Sequence, residues 1–167
     1  MTRSEFIEVL KDKGYSYEIE GNKIVITEEG HTIYFNTIES IPPGVKFNNP
    51  GSVSSNTLKA IPSGVEFNNK GYVSLDSLET IASGVEFNNV GHVYLKTLRT
   101  LPRGIRFNNK DSVYLLSIET ISSGAEFSNG GNVNLEPLGW FSGWTGNING
   151  IDNKKLLNMM IKRSLFA

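Results

Sequence analysis

From His31 to about Phe141 the chain repeats one pattern of apolar and polar positions every 20 residues, V-x-L-x-x-L-x-x-I-P-x-G-V-x-F-N-N-x-G. The copy from Val73 to Gly91 shows it most cleanly, and its neighbours place equivalent residues 20 positions away. Phe47, Phe67, Phe87, Phe107 and Phe127 form one column, and Val53, Val73, Val93, Val113 and Val133 form another. A short fixed period marks a solenoid, in which each unit buries its apolar face only against its neighbours. Within a copy Val73 and Leu75 are two apart, as are Val85 and Phe87, which is strand periodicity. Leu78 and Ile81 come at spacings of three, so the wall between those strands bends or is very short. A helical repeat needs about 30 residues or more, and Pro62 and Gly64 would interrupt it. The pattern therefore predicts a mainly β fold, a parallel β-solenoid (β-helix-like) of five to six coils. Each coil has two clear short strands and room for a third. At ~4.8 Å per coil the core would be a rod about 25 Å long.

The corners have local causes. Ile61-Pro62-Ser63-Gly64 reads as a proline-led turn with glycine last. In Asn68-Asn69-Lys70-Gly71, asparagine and glycine tolerate positive φ, and the paired amides can bond turn backbone or one another up the stack. The asparagine column recurs identically in successive coils, which suits a structural ladder better than a metal or glycan site. Asp111 replaces the recurrent glycine and is expected to adopt the left-handed conformation as a turn residue. Ser55 interrupts an apolar column; either Phe35 compensates its volume or it lies at a bend.

Different patterns flank the repeat, giving three segments: 1–30, 31–141 and 142–167. In the first, Thr2 and Glu5 form a capping box, and Phe6, Val9 and Leu10 share one helical face as far as Gly14. Tyr15, Tyr17 and Ile19 then alternate, Gly21-Asn22 turns, and Lys23 to Thr27 is β-branched and apolar. This predicts an N-terminal cap of a helix (about 3–13) and a hairpin, shielding the open end of the first coil. After Leu135 the repeat decays, although Phe141 still matches the isoleucine column. Trp140 and Trp144 follow where the last coil needs a lid. A C-terminal amphipathic helix is predicted from Asp152 or Asn153 to about Arg163, with Leu156, Leu157, Met160 and Ile161 on one side and Met159 widening the face. It would fold over the coil end or dock on a second molecule. Trp140, Trp144, Leu156, Met159 and Met160 are the candidate contacts for such assembly.

If Val73 and Leu75 point inward, the alternate positions point outward. That strip carries Tyr34, Tyr72, His92, Tyr94 and Tyr114. Tyrosines gathered on a rigid scaffold suit a protein-binding surface. Cross-strand stacking chosen for strand propensity would give the same residues. A second outward column, Glu39, Lys59, Glu79, Arg99, Glu119, alternates in sign and so serves register. The column Lys46, Glu66, Glu86, Arg106, Glu126 is less regular, because Glu66 and Glu86 abut.

Composition narrows function mainly by exclusion. With 16 Lys and Arg against 17 Asp and Glu, there is no basic excess, and neither charge column is a continuous basic stripe, so a nucleic-acid partner is disfavoured. Cysteine is absent, excluding disulfides and thiolate metal sites. No apolar run approaches the ~20 residues of a membrane span, and Met1 to Leu10 does not read as a signal peptide. The expected setting is soluble and cytoplasmic. No P-loop, dinucleotide, nucleophile-elbow, HExxH or calcium-loop motif occurs, and Asp76, Glu79 and Glu86 are explained by the outer faces. No catalytic residue, metal ligand or cofactor is expected.

Leu58-Lys59-Ala60-Ile61-Pro62-Ser63-Gly64-Val65 is similar to parts of short bacterial leucine-rich repeats. That resemblance implies a protein-recognition scaffold over residues 31–141, with a horseshoe as the alternative fold. Small capped repeat proteins without enzymatic motifs also look like accessory proteins of phages or mobile elements, including inhibitors of host defence, which implies the host cytoplasm. The leading expectation is a non-enzymatic protein-binding module, an inhibitor or adaptor, acting through Tyr72, His92, Tyr94 and Tyr114 or through its caps. The alternatives are a self-assembling structural solenoid and a glycan-binding or glycan-processing β-helix.

Overall fold

A computed structural model describes residues 1–30, 32–122 and 124–135, and the backbone of 139–141. Helix α1 (Arg3–Asp12) is the only helix among them. The Thr2 hydroxyl accepts from the Glu5 N–H at 3.3 Å, and Glu5 accepts from the Thr2 N–H at 2.7 Å, completing the capping box. Gly14, at φ +68, ends the helix. Strands β1 (Tyr17–Glu20) and β2 (Lys23–Ile26) form the hairpin. The Arg3 guanidinium donates to the carbonyls of Gly21 and Asn22, tying its turn to α1.

The rest winds as a parallel β-solenoid with three walls. The phenylalanine wall stacks Val45–Phe47, Glu66–Phe67, Glu86–Phe87, Arg106–Phe107 and Glu126–Phe127 in parallel. Strand β2 supplies its first rung, with Ile24 beside Val45 and Ile26 beside Phe47. The hairpin is therefore continuous with the solenoid. The tyrosine wall stacks Ile33–Tyr34, Val53–Ser55, Val73–Leu75, Val93–Tyr94, Val113–Leu115 and Val133–Leu135. The third wall is short: Ala60–Ile61 pairs with Thr80–Ile81, and Thr100–Leu101 with Thr120–Ile121. All the apolar columns point into one buried core. Six rungs of the tyrosine wall agree with the expected coil count.

One expectation fails at the far end. Gly139–Phe141 runs antiparallel to Val133–Leu135, setting Phe141 opposite Val133 and Trp140 opposite Asn134. Phe141 thus does not join the isoleucine column of the third wall. The chain has reversed, and the reversed strand covers an edge of the tyrosine wall that would otherwise present unpaired backbone groups. The helix expected near 152–163, with Trp144, Leu156, Met159 and Met160, lies outside the described residues.

The core is built around stacked rings. Phe47, Phe67, Phe87 and Phe107 stack at 4.8, 4.9 and 5.0 Å with interplanar angles of 5° or less, and Phe127 continues at 4.8 Å. Phe35 turns edge-on to Phe47 and meets Phe6 of α1 at 5.5 Å, so aromatic packing runs into the cap. Ser55 stays in register opposite Leu75, and its buried hydroxyl is fully used. It donates to the Phe35 carbonyl at 2.6 Å and accepts from the N–H groups of Thr57 and Leu58, holding the bend after the strand.

Both asparagine ladders form. Asn68, Asn88 and Asn108 each donate to the Asn of the preceding coil, at 3.3, 2.9 and 2.9 Å. The inner series, Asn69, Asn89, Asn109 and Asn129, turns its Nδ2 onto turn carbonyls of its own and the preceding coil. The corner glycines differ in purpose. Gly44, Gly64, Gly84, Gly104 and Gly124 have positive φ, as the proline-led turn requires. The glycines after the asparagines do not, and no other residue type among those described has positive φ, Asp111 included. The expected left-handed turn at that corner is therefore absent, and close packing is the reason for glycine. A Cβ on Gly91 would lie 2.8 Å from the Tyr72 nitrogen and 2.9 Å from the Gly71 carbonyl carbon.

Charge columns behave as register devices. Lys59 meets Glu39 at 3.0 Å, and Arg99 meets Glu119 at 2.6 Å. Abutting Glu66 and Glu86 are relieved from opposite sides. Lys23 and Lys46 lie 2.6 and 3.7 Å from Glu66, while Arg106 bridges Glu86 and Glu126 at 3.0 and 3.1 Å. The hydrogen bond from Lys23 is the main reason Glu66 titrates below the usual carboxylate range. A depressed carboxylate stabilises the fold fully above its unfolded pKa, and that contribution is lost as pH falls through its folded pKa. Lys23→Ala is expected to lower the melting temperature at neutral pH, with the gap to the parent protein closing in acid. Melting curves across pH 2–7 check this; a gap independent of pH would contradict it.

Candidate functional site

The outward face of the tyrosine wall gathers four rings across three successive coils. Parallel register sets Tyr94 beside Tyr114, and their rings stack at 4.8 Å with an interplanar angle of 14°. His92 packs edge-on against both, at 5.7 and 5.6 Å. Tyr72 meets Tyr94 edge-on at 6.4 Å. All four predicted residues thus form one cluster. Tyr34, in the same column as Tyr94, stands apart beyond Ser54 and Ser74. It is 48% exposed, and its backbone N–H donates to the Tyr15 hydroxyl. Of the other predicted contacts, Trp140 has only its backbone placed, on the edge of this wall.

The cluster is held from beneath. Asn69 Nδ2 donates to the Tyr72 carbonyl at 3.2 Å, and Asn89 Nδ2 to the His92 carbonyl at 3.4 Å. The inner ladder therefore fixes the backbone from which these rings project. Asp111 acts from above. Its Oδ1 accepts from the Ser112 N–H at 2.8 Å and lies 3.2 Å from His92 Nδ1, close enough to pair with a protonated ring. Gly71 and Gly91 each donate an N–H to the glycine one coil below. No such bond joins Asp111 to Gly91 among the described residues. The exception in the glycine column thus sits against the ring cluster, exchanging a ladder bond for a carboxylate beside His92.

The surroundings are graded. Beyond Tyr94 lies the Asp76–Lys96 ion pair at 2.7 Å, with Ser74 Oγ also donating to Asp76. On the other side the corner column runs Lys70, Val90, Lys110, all exposed, with Val90 at 43% and Tyr72 at 39%. Partial burial is the main reason the Tyr94 phenol titrates above its usual range, with neighbouring Tyr114 and Asp111 adding to it. Tyr94 is therefore a neutral hydroxyl at physiological pH. Sequence reasoning overlooked Lys70, Val90, Lys110 and the role of Asp111. The signal was present in the numbering: position 111 is one coil above Gly91, the residue next to His92.

No protein-family model, curated protein or solved structure matches the chain. Among the described residues no three His, Asp or Glu side chains gather as metal ligands would, and no helix is long and apolar enough to cross a membrane. Two open hollows flank Gly30. One is lined by Thr27, Glu29, Asn48, Pro50 and Lys70, the other by Lys13, Tyr15, Glu28, Thr32 and Tyr34. Neither includes the ring cluster. What the cluster offers is an aromatic surface edged with hydroxyls, with the His92–Asp111 contact at its rim.

Proposed function

We propose that the protein is a non-enzymatic recognition scaffold, an inhibitor or adaptor that binds a protein partner through Tyr72, His92, Tyr94 and Tyr114. The supporting observation is the joining of these rings into one partly exposed cluster on a backbone held by the inner asparagine ladder. Rigid tyrosines give large amphipathic contacts with little ordering cost on binding. Strand propensity alone would favour such residues anywhere on the outer wall, yet Ser54 and Ser74 occupy equivalent positions two coils running. The similarity of residues 58–65 to short bacterial leucine-rich repeats agrees with a recognition role. The alternative, self-assembly through Trp140, Trp144 and the final helix, involves side chains outside the described residues.

The test is a partner recovered by affinity capture from the source cells and then measured by calorimetry. Tyr94→Ala combined with Tyr114→Ala is expected to weaken that binding by about 2 kcal/mol or more, the scale of an interface hot spot. An unchanged affinity, with the variant's melting curve intact, would clear this face of the role.

A further inference from the structure

The polar groups left free around the ring cluster include three phenol hydroxyls, each able to donate to a carboxylate. The Tyr72, Tyr94 and Tyr114 hydroxyls have no partner among the described residues. Of the nearby carboxylates, Asp76 is engaged by Lys96 and Ser74, and Asp111 accepts from the Ser112 N–H. The cations show a parallel contrast. Lys46, Lys59, Lys96, Arg99 and Arg106 all lie within ion-pair distance of a carboxylate. Lys70 and Lys110 are exposed and unpaired among the described residues, as are Arg103 at a different corner and Lys13 in the cap. The two lysines bracket exposed Val90 in one corner column, with Lys70 and Val90 each two residues before a ring of the cluster, Tyr72 and His92. Among the described residues, the cations of the walls are paired, and two of the unpaired ones, Lys70 and Lys110, stand where the apolar surface opens.

From this we infer that the face takes an acidic, extended segment of a partner protein, with aromatic or aliphatic side chains on the rings and carboxylates at Lys70 and Lys110. The inference rests on the ring cluster being the binding face and adds the chemistry of what binds there. Two coil steps separate the lysines by about 10 Å, and acidic residues three apart in an extended peptide span about the same distance. Phenol O–H groups and ammonium ions are all suitable donors to carboxylates. Single-stranded nucleic acid would also use rings and cations, but a phosphate backbone needs a continuous basic track. Here the adjoining phenylalanine wall carries Glu66, Glu86 and Glu126.

A displayed library of random dodecapeptides, panned against the full chain, tests the inference. Three proteins are compared: the parent, Lys70→Glu with Lys110→Glu, and Tyr94→Ala with Tyr114→Ala, each checked for an unchanged melting curve. Enriched peptides should pair Asp or Glu with aromatic or aliphatic residues. Their affinity should fall about tenfold in the lysine variant and weaken with added salt. Neutral or basic peptides that still require the tyrosines would overturn the acidic partner and leave the binding face standing. Peptides indifferent to the tyrosine variant, or no enrichment at all, would remove both. Tighter binding of an oligothymidylate than of any enriched peptide, lost in the same variants, would reassign the face to nucleic acid and overturn the inference.

Discussion

Phe87→Ala is expected to lower the unfolding free energy by about 3–5 kcal/mol, the usual cost of truncating a fully buried phenylalanine. Phe87 is inaccessible to solvent and lies between Phe67 at 4.9 Å and Phe107 at 5.0 Å, so its removal opens a void in mid-stack. The coils above and below cannot close that gap, because parallel ladders on two walls hold their spacing. In a solenoid the loss falls on two coil–coil interfaces at once. Phe127→Ala, whose ring stacks on one described neighbour, should cost less. Denaturant unfolding of both variants measures the difference. A further consequence is loss of cooperativity, with the Phe87 variant unfolding in two phases as its halves uncouple. An equal or smaller cost at Phe87 than at Phe127 would mean that the stack does not couple the coils.

The columns were legible in the sequence because each coil repeats the same constraint, so a single pattern is stated several times over. Phe47 to Phe127 could be aligned by counting, and counting also placed Tyr94 beside Tyr114. What counting could not show is why a given residue is needed. Glycine serves the left-handed turn at Gly84 and close approach of two coils at Gly91, and the letters are identical. Direction was hidden in the same way. Phe141 matches the isoleucine column in spacing, yet its strand runs antiparallel on the tyrosine wall. The site was half legible for a related reason. Four aromatic positions follow from strand alternation, whereas the His92–Asp111 contact crosses a corner and a coil together. That Lys70 and Lys110 are unpaired among the described residues is a property of where the surrounding carboxylates point, which no single residue encodes.

Asn89→Asp should be among the most damaging substitutions of near-identical shape, costing about 3–5 kcal/mol at neutral pH because it sets an unpaired charge in the core. Asn89 is inaccessible to solvent, and its Nδ2 donates to the carbonyls of Gly71, Gly91 and His92 at 3.2, 2.8 and 3.4 Å. A carboxylate oxygen there would face three acceptors with no proton to offer. The amide orientation is fixed by the same contacts, since Oδ1 makes no hydrogen bond of its own and cannot exchange places with Nδ2. Protonation would return one donor, so the folded-state pKa of the new carboxyl must lie above its unfolded value. The defect should accordingly be smallest below the ordinary carboxylate range and grow as pH rises through it. Asn89→Ala separates the two contributions: it removes the donor without adding charge, costs about 1–3 kcal/mol, and should show little of that pH dependence. Thermal unfolding of both variants from acid to neutral pH decides the matter, and parallel curves for Ala and Asp would rule out a buried charge as the cause. Because Asn89 also fixes the carbonyl of His92, the Ala variant should loosen the ring cluster, linking the stability of the ladder to the binding face it supports.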